Sequence, residues 1–160
     1  MDSMMTLTRR LLVMALGLAA CAGAAGVELV GFRGVPWGAE PDSVEPAQLV
    51  SAQGEYRCYK RERENLLWGD SPLSEVRFCF HRDRFYMAVL ESKTDVDTLA
   101  SDFKSMYGAP TMEAPTRVEW GNRYGAARAE ISAAAPGGAA TLRLTSNEFE
   151  PRELVSRARH

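Results

Sequence analysis

The side chains best suited to chemistry in this 160-residue chain are three cysteines and two histidines. A nucleophilic thiol or hydroxyl needs a base within hydrogen-bond reach. Inside the folded region the one histidine is His81, with Asp83 two residues on as a candidate orienter. That spacing in a strand-to-turn segment fixes no mutual geometry, and no serine sits in a G-x-S-x-G elbow. His81 therefore reads as a solvated turn residue, and a hydrolase built on it is the weakest of three functional readings. His160 is the last residue. Asp95-Val96-Asp97 and Glu148-Phe149-Glu150 lack the spacing of a calcium loop. Gly137-Gly138 precedes no strand-to-helix transition that would cradle a phosphate. The expectation is a non-enzymatic protein, with no catalytic residue, metal or cofactor.

The cysteines point to other uses. Arg9-Arg10 followed by the apolar run Leu11 to Ala20 has the layout of a secretory signal, too short to span a bilayer, which takes roughly 20 apolar residues. Leu18-Ala19-Ala20-Cys21 resembles the lipobox of bacterial lipoproteins, which implies acylation of Cys21, palmitate included, as the first mature residue. Ala22 after it, by resemblance to Gram-negative sorting, implies the periplasmic side of the outer membrane. The competing reading is cleavage at Ala20-Cys21-Ala22 or Ala22-Gly23-Ala24, giving a soluble periplasmic protein.

Cys58 and Cys79 remain as an even pair in an exported chain. Each is central in a strand-like stretch, EYRCYKRE and SEVRFCFH. A bridge between them would close a loop of about 20 residues and contribute on the order of 3 kcal/mol. Two reduced, half-buried thiols are the alternative.

For recognition, the candidates are Tyr56, Arg57, Tyr59 and Arg61, because Tyr and Arg are enriched at binding hot spots. Trp68 and Trp120 join them, each beside a glycine, as does Trp37; two converging at one rim would form an aromatic ledge. The net charge of −2 has no basic stripe to call for nucleic acid.

These groups must be positioned by about 140 mature residues, enough for one domain. Asp42 or Ser43 can cap a short helix through Val44, Ala47 and Leu49-Val50. Leu73 to His81 alternates, with Val76, Phe78 and Phe80 on one face and Arg77, Cys79 and His81 on the other. Phe85 to Glu91 returns as a second strand of a meander. TDVDTLASDFKSMYGAP is the best helix, with Val96, Leu99, Phe103 and Met106-Tyr107 as its apolar stripe and Gly108 and Pro110 ending it. A second meander follows over Arg117 to Trp120, Ala126 to Ser132 and Thr141 to Thr145.

The expected class is α+β, two helices packed on a largely antiparallel sheet of about six strands. Each half runs helix then three strands, and an offset of 52 residues carries Trp68 onto Trp120 and Leu90 onto Leu142. That order reads as a duplicated α-β-β-β unit if an indel restores the strand phase. The expected organisation is signal 1–20, tether 21–31, domain 32–146 and charged tail 147–160.

Phe32-Arg33-Gly34-Val35-Pro36-Trp37-Gly38, the meander, and the helix closing on Met106-Tyr107-Gly108-Ala109-Pro110 together resemble a group of small exported bacterial proteins of unknown function, many of them lipoproteins. The helix-plus-meander arrangement is also similar to the β-lactamase-inhibitor-protein type of architecture. Topology implies no activity. The function expected is non-catalytic, binding an envelope protein or cell-wall component, with membrane contact through a lipid anchor alone. The alternative is a small apolar ligand or lipid carrier with a pocket lined by Phe78, Phe80, Met87 and Phe103.

Overall fold

The computed structural model describes residues 29–152. The signal, Cys21, most of the tether, residues 153–160 of the tail and His160 lie outside the described residues. Arg33 and Gly34 both take positive φ, 47° and 81°, so Gly31–Phe32 (β1) folds straight back on Val35–Pro36 (β2). A 3-10 turn follows at Pro41–Val44.

The helix expected through Val44 to Val50 is not formed. Glu45 precedes Pro46 and is extended, with ψ 148°, since the proline ring disfavours the helical region for its neighbour. The Glu45–Pro46 bond is cis. Ala47–Gln53 (β3) then finds its hydrogen bonds as a strand against Tyr56–Arg61 (β4). Past a two-residue strand at Leu67–Trp68 (β5), the chain forms the long hairpin Ser71–His81 (β6) and Arg84–Ser92 (β7), turned by Arg82 and Asp83 at positive φ.

Val96–Tyr107 (α1) is the single α-helix among the described residues. Asp95 caps it by accepting from the Thr98 N–H at 2.9 Å, and Gly108 ends it at φ 80°. Short strands at Met112–Ala114 (β8) and Arg117–Trp120 (β9) lead into Ala127–Ser132 (β10) and Thr141–Ser146 (β11).

All pairings are antiparallel, in the order β3-β4-β6-β7-β11-β10-β9-β8, with β5 beside β6. The expected two helices on six strands are thus corrected to one helix on a nine-stranded sheet. The α-β-β-β repeat is corrected with it. Each half contributes four strands to the main order, and among the described residues only the second half has an α-helix. The halves abut where Leu90 faces Leu142.

Core residues of the strands share one face. Val76, Phe78, Phe80, Ala88, Leu90, Ile131, Leu142 and Leu144 are buried there under α1 and the 29–46 segment. Of the expected helix stripe, Val96, Leu99 and Phe103 are buried, whereas Met106 is exposed and Tyr107 half-buried. The opposite face carries a smaller cluster, Cys79, Tyr86 and Val89, with Cys58, Tyr56, Met87 and Phe149 against it.

Candidate interaction surface

Strand alternation decides what β4 can present. Arg57 lies opposite Phe80 and Tyr59 opposite Phe78 on the core face; Tyr56 lies opposite His81 and Cys58 opposite Cys79 on the other. The expected patch is therefore divided between two faces. Tyr59 stands edge-on to Phe80 at 5.6 Å, and Arg61 covers the Phe78 ring at 4.8 Å. On the far side Tyr56 stacks on His81 at 4.7 Å.

The tryptophans form no ledge at a rim. Trp120 is 1% exposed, packs on Phe103 at 4.5 Å and donates its indole N–H to the Gly108 carbonyl at 2.9 Å. Trp68 is buried between Phe32 and Phe103. Trp37 stacks on Phe85 at 4.7 Å and donates to the Leu29 carbonyl. These rings close the core.

Cys58 and Cys79 are bridged, with Cα atoms 4.1 Å apart on paired strands. Asp83 is paired with Arg57 at 2.9 Å rather than with His81, whose Nε2 is 3.6 Å from Glu55 Oε2. The Arg82 guanidinium bonded to Glu55 holds that carboxyl below its ordinary range. Among the described residues no three metal-binding side chains gather. The four residues expected to line an apolar pocket do not share one: Phe78, Phe80 and Phe103 pack against core rings, while Met87 belongs to the cluster on the opposite face.

A shallow cleft of about 320 Å³ lies by the β4–β5 turn, lined by Lys60, Arg61, Arg63, Glu64, Leu66 and Glu75 among others. Its charges are largely compensated. Glu64 binds Arg33 at 2.6 Å and faces Arg61 at 3.6 Å, and Lys60 pairs with Glu75. The pattern continues across the sheet from Glu75. Arg77 bridges Glu75 and Glu91, and Arg117 bridges Glu119 and Glu130. A surface so paired has little charge left to select a partner.

The sheet's two edges differ. β8 has three residues, lies between Pro110 and Pro115, and has Glu113 tied to Lys104 of the helix. Such short, charged, proline-flanked strands resist further pairing. β3 has seven residues, Ala-Gln-Leu-Val-Ser-Ala-Gln, without a charge or proline, and among the described residues it pairs with β4 alone. Leu49 is 49% and Val50 37% exposed on it. A β-bulge at Leu49/Ser51 is its one irregularity. The spaced apolar residues of this segment suit a helix and hide the edge; its sequence signal is Pro46 followed by seven residues without a charge.

No protein-family model, no curated protein and no solved structure matches the chain.

Proposed function

We propose that this chain is a non-catalytic binding module of the cell envelope that takes an extended segment of a partner protein onto β3. The observation carrying the reading is the contrast between the short, charged β8 edge, flanked by prolines on both sides, and the longer, uncharged β3 edge, interrupted only by the bulge at Leu49/Ser51. Strand addition supplies main-chain hydrogen bonds for affinity, and alternate side chains of the added strand meet those of the host sheet for specificity. The exposed Leu49 and Val50, beside compensated rather than free arginines, suit an uncharged apolar segment. The signal-like residues 1–20 and the lipobox-like Leu18 to Cys21 support the envelope as its place of action, tethered if Cys21 is acylated and soluble if it is removed.

The test is site-specific photocrosslinking in an exporting host, with the probe at position 49 in one chain and at position 113 in another. One defined envelope protein crosslinked from position 49 and not from 113 supports the reading, provided Val50→Lys removes the adduct and leaves the unfolding midpoint in place. Equal adducts from both edges sink it. An apolar small molecule released when the purified protein is unfolded would favour the carrier role instead.

A further inference from the structure

We infer that the end of the sheet bearing Leu29, Val30, Arg123 and Tyr124 is the face this domain turns to a lipid headgroup surface. The inference rests on the reading of Cys21 as the acylated residue. Seven residues lie between Cys21 and Leu29, eight residue steps in all, and a fully extended chain covers at most about 3.4 Å per step, so Leu29 stays within about 27 Å of the anchor. A fold of this length has a radius of gyration of about 14 Å, hence a diameter of roughly 35 Å. The tether is shorter than the domain is wide. The point where the chain enters the fold therefore cannot lie on the side farthest from the bilayer, and the chemistry of that end selects it as the side that faces the headgroups.

Contacts show what shares that end. The Leu29 carbonyl accepts from Trp37 Nε1 at 2.7 Å, and the Val30 carbonyl accepts from Trp37 N at 3.2 Å. Gly38, next to Trp37, donates to the Phe85 carbonyl at 2.8 Å at the start of β7 and lies against the Phe149 ring. Two residues before Phe149, Asn147 donates to the carbonyls of Asn122 and Gly125, both at 2.8 Å, and so ties down the β9–β10 loop. That loop presents Tyr124, whose N–H is held by Asn122 Oδ1 at 2.8 Å. Chain start, tail and loop are therefore linked side by side.

The chemistry of this end suits headgroups. Tyr124 is 89% and Val30 85% exposed, the two most exposed large apolar residues described, and Arg123 stands 5.9 Å from the Tyr124 ring. Arg84 is also exposed there, beside Arg82, which is paired with Glu55, and Asp83, which is paired with Arg57. Tyrosine favours the membrane interface because its ring is apolar and its hydroxyl wet, and guanidinium pairs with lipid phosphate. The Lys60-to-Glu75 cleft lies at the opposite end, beyond Arg61. Strand β3, running from Ala47 opposite Arg61 to Gln53 opposite Tyr56, then stands along the membrane normal with its edge open to the periplasm.

The experiment uses full-length protein from an exporting host, reconstituted in vesicles of phosphatidylethanolamine and phosphatidylglycerol and digested briefly with trypsin. The intact mass reports acylation, and peptide masses report cleavage after Arg123 and after Arg63, which lie at opposite ends. Relative to Cys21→Ala protein mixed with the same vesicles, cleavage after Arg123 slows by about tenfold or more and cleavage after Arg63 is unchanged. Tyr124→Ser on the acylated chain restores much of the Arg123 cleavage. Equal cleavage at both sites of an acylated chain overturns the orientation while leaving the anchor standing, and protection unaffected by Tyr124→Ser overturns the headgroup contact. A chain without the diacylglyceryl mass removes the anchor and this orientation with it.

Discussion

Gly38 lies against the ring of Phe149: a Cβ at position 38 would fall 2.8 Å from both Cε atoms of that ring, and the Gly38 φ of 79° already disfavours any side chain. The segment after β11 is thus pinned to the start of the domain, and the fold continues past Ser146 into what sequence alone separates as a charged tail. Gly38→Ala must displace either the ring or the turn, at a cost of about 2 kcal/mol. The expected result is a lower urea midpoint together with faster tryptic cleavage after Arg152; cleavage unchanged from wild type would mean that the ring does not hold the segment.

The disulfide spans a sequence separation of 21 between adjacent strands on the face bearing Tyr86 and Val89. Closing a loop of that size restricts the unfolded chain by about 3 kcal/mol. Cys58→Ser with Cys79→Ser, or reduction of the wild type, lowers unfolding stability by about that amount. Alkylation of both thiols without reductant, followed by mass analysis, would show the bridge to be absent in the isolated protein.

Legibility in the sequence follows the strength of local pattern. The alternation of Val76, Phe78 and Phe80 and the helix at Val96–Tyr107 are visible because a period of two, or of 3.6 with caps, is written in adjacent residues. The Cys58–Cys79 bridge is likewise read from two strand-like contexts. The stretch Val44 to Val50 misleads, because an acidic cap and spaced apolar residues suit a helix while Pro46 and a waiting partner strand impose β3. Trp68 and Trp120 look like surface anchors from their glycine neighbours, and only tertiary packing buries them. The division of Tyr56 from Tyr59 is plain alternation, but which face the core takes depends on β6, across the sheet.

Among the described residues two phenols, Tyr86 and Tyr107, are raised, and Tyr86 the more strongly. Burial, with smaller contributions from Tyr56 and Glu150, raises its phenol to about 12 from 10.0. The folded state therefore holds the proton more tightly than the unfolded chain. Its contribution to stability is complete below pH 10.0 and is lost as the pH rises toward about 12. Urea midpoints across that window should fall for wild type and fall less for Tyr86→Phe; matching slopes for the two proteins would assign the alkaline loss elsewhere.

At the acid end the helix cap behaves in the opposite sense. Asp95 is lowered from its ordinary value chiefly by the bond from the Thr98 backbone. Its stabilisation is present above the unfolded carboxylate value and is lost as the pH falls through the depressed one. Asp95→Asn retains a capping oxygen without a titrating charge. Thermal melts at falling pH should converge for the two proteins, and a constant gap would show that the Asp95 charge is not the source of the difference.

Glu64 supplies the most direct test of how the β1–β2 hairpin is fastened to the sheet. Its side chain is 9% exposed and lies between two guanidiniums, Arg33 at 2.6 Å and Arg61 at 3.6 Å. Arg33 also donates to the Leu67 carbonyl at 2.6 Å and to that of Asn65, while Arg61 donates to the Arg33 carbonyl at 3.4 Å. Removing the carboxylate leaves two partly buried cations facing each other without a counterion. Breaking a buried pair in this way costs about 3 kcal/mol, more than the intact pair contributes, since the uncompensated charge adds its own penalty. Glu64→Gln keeps the shape and one acceptor, so its loss is smaller and arises mainly from the missing charge. A cycle of Glu64→Ala, Arg33→Ala and the double variant separates the two sources. If the carboxylate and Arg33 act as a unit, the double variant is more stable than the sum of the single losses implies. Strictly additive losses would mean that Glu64 serves Arg61 alone and that the hairpin is held by the Arg33 bonds to the Asn65 and Leu67 carbonyls.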